Sequence, residues 1–134
     1  MKKLLILAAI MCATAAFAAF DLSSAKPELL FAPKAIAAAA TNTVEFASAG
    51  RKGTGAIYIA ATSSATNGTI AITLMATNAV AGGWSVFAAG TYPTAPTNAV
   101  YALPVAVEYL SPANKLLVTP TGANVTASAM LLSY

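Results

Sequence analysis

Thr54 to Thr77 reads TGAIYIAATSSATNGTIAITLMAT, and its two alternating runs decide the fold class. Ile57, Ile59 and Ala61 alternate with Tyr58, Ala60 and Thr62; Ile70, Ile72, Leu74 and Ala76 then alternate with Ala71, Thr73 and Met75. Successive side chains of a strand point to opposite faces, so each run can bury one apolar face and reads as a β-strand. The Ser63 to Gly68 segment between them is rich in turn formers, which predicts a β-hairpin over the whole stretch. Neither strand carries a His, Cys or acid, so the hairpin is read as scaffold. Its uncharged tip, with Ser63, Ser64, Thr66 and Asn67, is expected to be flexible and to offer a contact surface.

The alternation extends to both sides. Thr43 to Ala47 is a strand ended by the Gly50-Arg51-Lys52-Gly53 turn. After Gly82-Gly83, the run WSVFAA puts Trp84, Val86 and Ala88 on one side and Ser85, Phe87 and Ala89 on the other. Gly90 to Asn98, with Pro93 and Pro96, reads as a loop. Tyr101, Leu103, Val105, Val107 and Tyr109 form the longest alternation, with Pro104 on the opposite face. Proline cannot donate to a ladder, so this strand is expected at a sheet edge or bent there. KLLVTP (Lys115 to Pro120) and VTASAMLLSY (Val125 to Tyr134) complete the series.

About seven short strands with turn signals every 8 to 12 residues or so, and no amphipathic helix, predict an all-β chain. The expected form is a single antiparallel β-sandwich, jelly-roll or Ig-like. A parallel α/β sheet would need helical crossovers that the sequence lacks. An outer-membrane barrel would need strands of about 9 to 11 residues, longer than most of these runs.

Ahead of the sandwich, residues 1–19 read as an export signal. Lys2 and Lys3 make a basic head, Leu4 to Phe17 carries no charge, and Ala16-Phe17-Ala18 supplies a small-x-small cleavage pattern. The apolar run falls short of the ~20 residues that span a bilayer, so no stable membrane span is expected once it is removed. Residues 20–40, broken by Pro27 and Pro33, read as an extended arm, and 41–134 as the sandwich domain. The expected location is outside the cell if the signal is cleaved, and a virion surface if it is not.

Composition removes several functions. The chain holds 7 Lys and Arg against 4 Asp and Glu, and two of the seven are Lys2 and Lys3, so without the leader the balance is 5 − 4 = +1. Nucleic-acid binding, which draws on clustered cations, is therefore not expected. Cys12 is the single cysteine and there is no histidine. Disulfides, imidazole or thiolate metal sites and Ser-His-Asp or Cys-His machinery are excluded from the mature chain. No cofactor is expected. Glu45 and Glu108 are the only acids in strand-like runs, and isolated strand carboxylates read as guards against edge pairing rather than a catalytic pair. Charged residues are 8% of the chain, against about 25% in a soluble domain. A surface built from Ala, Thr, Ser and Asn favours burial in a larger assembly.

The run TNTVEF, the apolar strand pair, the aromatic WSVF, and VEYLSPANKLLVTPTGANVTASAMLLSY, with Tyr109, Lys115 and Thr119 to Asn124 in order, resemble the small β-sandwich proteins of tailed-phage particles. The resemblance covers about Thr41 to Tyr134 and implies a virion structural or decoration subunit, self-associating or held in a lattice. The chain departs from that group in its leader and in the uncharged Thr77-Asn78-Ala79. A secreted fibre subunit is the alternative, the final strand being similar to fimbrial assembly strands. A third reading is a carbohydrate-binding module in which Trp84, Tyr92 and Tyr101 stack on a glycan, against which a single tryptophan in an alternating strand reads first as a core or sheet-face residue. Asn67-Gly68-Thr69 and Asn124-Val125-Thr126 match the glycosylation sequon, as expected by coincidence in an Asn/Thr-rich chain.

Overall fold

A computed structural model describes residues 26–47, 53–78, 82–106, 110 and 112–133. The leader, Glu108, Tyr109 and Tyr134 lie outside them. The strands are β1 (Lys26–Ile36), β2 (Asn42–Ala47), β3 (Gly55–Ser63), β4 (Thr69–Asn78), β5 (Gly83–Pro93), β6 (Ala99–Val105), β7 (Ala113–Thr121) and β8 (Val125–Ser133). They form two four-stranded antiparallel sheets, ordered β1-β8-β3-β6 and β2-β7-β4-β5. Four of the ladders are nested: β1 with β8, β2 with β7, β3 with β6 and β4 with β5. This is one long hairpin rolled up, so that β3 also meets β8 and β4 also meets β7. Such a rolled double sheet is a jelly roll.

The two decisive runs are strands, but they do not form a hairpin. β3 lies in the first sheet and β4 in the second. Alternation fixes which face a strand buries and says nothing of which strand it pairs with. Here Ile57 and Ile59 of β3 face Ile70, Ile72 and Leu74 of β4 across the core, all of them fully buried. Leu116, Val118, Leu131, Leu103 and Val105 complete the interior. Burying each large aliphatic side chain is worth about 1.5–3 kcal/mol.

The eighth strand comes from the segment read as an arm. Lys26–Ile36 pairs with β8 from Lys26↔Ser133 to Ile36↔Val125, with irregularities after Leu29 and Phe31. Pro27 and Pro33 are accommodated because β1 is an edge strand. Pro104 likewise sits on edge strand β6, as its missing donor predicts. β6 ends at Val105, and the later part of the predicted long alternation lies outside the described residues.

β5 runs further than the sequence indicates, through Gly90 to Pro93. A Cβ on Gly90 would lie 2.6 Å from the Tyr92 hydroxyl, so glycine makes room for that ring to fold back. β5 also contains a bulge: Leu74 pairs with Ala88 but Met75 pairs with Val86, leaving Phe87 as the extra residue. The bulge breaks the expected grouping of Trp84, Val86 and Ala88. Ala88 and Phe87 pack against the core, whereas Val86 is 62% exposed.

Candidate functional site

The Ser63 to Gly68 connection crosses from one sheet to the other, and it is pinned rather than a free tip. Ser63 N–H donates to Ala95 O and Ser64 N–H to Asn124 O, both at 2.9 Å. Thr94 closes the far side, its N–H donating to Gly68 O at 2.9 Å and its Oγ1 to Ala65 O at 3.1 Å. Ser63 Oγ accepts from Ala65 N–H at 3.2 Å, and Ser64 Oγ from Asn124 N–H at 3.2 Å. Asn124 Oδ1 in turn accepts from Ala38 N–H at 2.9 Å. Four connections are thereby laced at one end of the sandwich. Ser63 is buried, while Ser64, Thr66 and Asn67 are exposed on the outside of the lacing. Gly68 is required there, since a Cβ would lie 2.7 Å from Thr121 O.

Tyr92 and Tyr101, read as stacking rings for a glycan, are committed to each other. Their ring centroids are 5.3 Å apart and tilted by 32°. Tyr92 OH donates to Ala102 O and Tyr101 OH to Pro93 O, each at 2.8 Å. The pair joins the edge of the second sheet to the edge of the first. Burial raises the Tyr101 hydroxyl above its ordinary pKa, and a backbone hydrogen bond from Ala95 offsets this in part.

Trp84 stands apart from both features. By register it shares the outward side of the second sheet with Thr77, Met75 and Val86 of β4 and β5, and with Lys115 of β7. Lys115 Nζ lies 4.2 Å from the centre of the indole. Glu45 of β2 reaches the same ammonium at 3.2 Å, its side chain 66% exposed. The two strand residues Glu45 and Lys115 are direct cross-strand partners. The sequence singles out Trp84 and Glu45, but nothing in it brings them to one ammonium. That depends on β2 and β7 pairing across some seventy residues of chain and on the bulge at Phe87.

The outward side of the first sheet is different. Ala56, Tyr58 and Leu132 are buried there in a second cluster, flanked by Val100 and Met130, while Leu29 on β1 is 51% exposed. Among the described residues no charged side chain falls at an outward position of β3, β6 or β8. The described residues also contain no group of three or more His, Cys, Asp or Glu suited to a metal. No helix among them is long and apolar enough to cross a membrane.

The chain matches no protein-family model and no curated protein. It is similar in structure to a carbohydrate-binding module described as CBM4, with a TM-score of 0.56, 10% identity, and 85% of this chain and 80% of that one covered. A family 29 carbohydrate-binding module from Piromyces equi gives a TM-score of 0.53 at 9% identity, over 83% and 92% of the two chains. The structure of infectious bursal disease virus, Gt strain, gives 0.52 at 11% identity over 82% of this chain, which spans about a third (32%) of the viral one. At these identities the likeness is one of fold: the chain is an antiparallel β-sandwich of a form found in carbohydrate-binding modules and in a virus.

Proposed function

We propose that the chain is a non-enzymatic structural subunit of a larger assembly, of virion-decoration type, which meets its neighbours through the outward side of the first sheet. The observation that carries this reading is the absence of charge from the outward positions of β3, β6 and β8 among the described residues, beside the half-exposed Leu29. Ala56, Tyr58 and Leu132 are themselves buried on that side, so the apolar surface it offers lies at Leu29 and the partly buried Val100 and Met130, and exposed apolar surface marks interaction sites in soluble proteins. The sheet edges point the same way by elimination. β1 carries Pro27 and Pro33, β5 Pro93, β6 Pro104 and β2 the charged Glu45, all devices that discourage edge-to-edge pairing. The faces are left as the surfaces for association.

The viral structure among the structural neighbours supports compatibility of this fold with a particle. A secreted fibre subunit would use the same surface, and the export reading of residues 1–19 supports it. The mass of the protein from its native source separates the two: a mature N-terminus near Ala19 favours the exported fibre, an intact Met1 in particles the virion subunit. The assembly reading itself is tested by sedimentation velocity of the mature chain. It predicts species heavier than a monomer that grow with concentration, and their loss in Leu29→Glu, a change at an exposed position. A wild-type chain that stays monomeric throughout overturns it.

A further inference from the structure

The open side of the second sheet serves neither the core nor the tyrosine pair. The bulge at Phe87 turns Trp84 and Val86 outward, two residues apart and hence on the same side of an edge strand. Val86 is 62% exposed, and Trp84 is half-buried against the Lys115 ammonium. Beside this apolar strip, register places Thr43, Thr73, Thr77 and Thr91 on the same outward side.

We propose that this face is a binding site for a neutral saccharide, with Trp84 as the stacking anchor and Glu45 and Lys115 as hydrogen-bonding groups for its hydroxyls. Three features select that ligand. Glu45 and Lys115 neutralise each other at 3.2 Å, so the face offers no net field to an anionic polymer or a cation. An apolar strip bordered by hydroxyls matches a sugar ring, apolar on its C–H face and hydroxylated at its rim. The ammonium over the indole also restrains the ring before any ligand arrives, which lowers the ordering cost of binding. A carboxylate accepts from hydroxyls and an ammonium donates to them, so together they can hold both kinds of hydroxyl contact. The proposal rests on the second sheet alone and holds for a monomer as well as for an assembled subunit.

Trp84 is the single tryptophan in the chain, so its emission reports on the site directly. The full chain is titrated with soluble β-glucan, xylan, mannan and chitin oligosaccharides, with polygalacturonate as the anionic comparison. A saturable emission change with at least one neutral probe, and none with polygalacturonate, is expected. In affinity electrophoresis with the responding probe, Trp84→Ala is expected to weaken binding about tenfold or more, the scale of an aromatic anchor. Val86→Ser and Glu45→Gln, both at exposed side chains, are expected to weaken it severalfold and carry the test if Trp84→Ala does not fold. No saturable change with any neutral probe, or binding unaltered in these variants, overturns the proposal. An emission change that follows protein concentration alone also overturns it, since the face would then be covered by a second copy.

Discussion

Tyr92 and Tyr101 each donate a hydroxyl hydrogen bond to the strand that carries the other ring: Tyr92 to Ala102 O on β6, and Tyr101 to Pro93 O at the end of β5, both at 2.8 Å. Because β5 and β6 belong to different sheets, this exchange ties the two layers together where no backbone ladder can.

Removing either hydroxyl should therefore loosen the sandwich without disturbing its core. Tyr92→Phe and Tyr101→Phe are each expected to cost about 0.5–1.5 kcal/mol in urea unfolding. The rings touch at 5.3 Å, so the double variant should depart from additivity. Gly90→Ala should reproduce the Tyr92→Phe loss, since its Cβ would displace the Tyr92 hydroxyl.

The same pair should give the fold an alkaline limit. Burial raises the folded-state pKa of Tyr101 above the ordinary value of 10.0. The unfolded chain then releases that proton first, so this contribution is fully present below about pH 10 and is lost as pH rises through the folded-state value. Unfolding midpoints measured from neutral to alkaline pH should fall above the ordinary tyrosine pKa, with a shallower fall in Tyr101→Phe. Identical slopes for both proteins would remove Tyr101 as the cause.

Two glycines should behave oppositely. Gly68→Ala sets a Cβ 2.7 Å from the Thr121 carbonyl oxygen and 3.0 Å from Ala123, in backbone held by the lacing at that end. A loss of about 1–3 kcal/mol is expected, as for other overpacked sites. A Cβ on Gly83 meets nothing within 4 Å, so Gly83→Ala should be neutral or stabilising by up to about 1 kcal/mol. Thermal unfolding of the two variants beside wild type checks both.

The strands were legible in the sequence because alternation is a local signal: Ile57, Ile59, Ile70, Ile72 and Leu74 declare an inward face each by spacing alone. Pro104 was equally plain, since a missing N–H can be tolerated only where no partner strand needs it. Pairing was not legible. The Ser63 to Gly68 connection has the composition of a hairpin turn, yet it crosses between sheets, held by Ala95 and Asn124, which are remote in sequence. β1 was hidden by its two prolines, which mark an arm and an edge strand alike. The candidate site depended on one extra residue. Without the bulge at Phe87, Trp84 would share a face with Ala88 and point inward. With it, the indole meets the Lys115 ammonium on the open side, and Glu45 pairs with that same ammonium from β2.

Association through the outward side of the first sheet is read out by hydroxyl-radical footprinting of the mature protein across its association range. Leu29 and Met130 report on that side, Met75 and Trp84 on the opposite one. Oxidation of Leu29 and Met130 is expected to fall as the protein associates while that of Met75 and Trp84 stays unchanged. Protection confined to Met75 and Trp84 would contradict it.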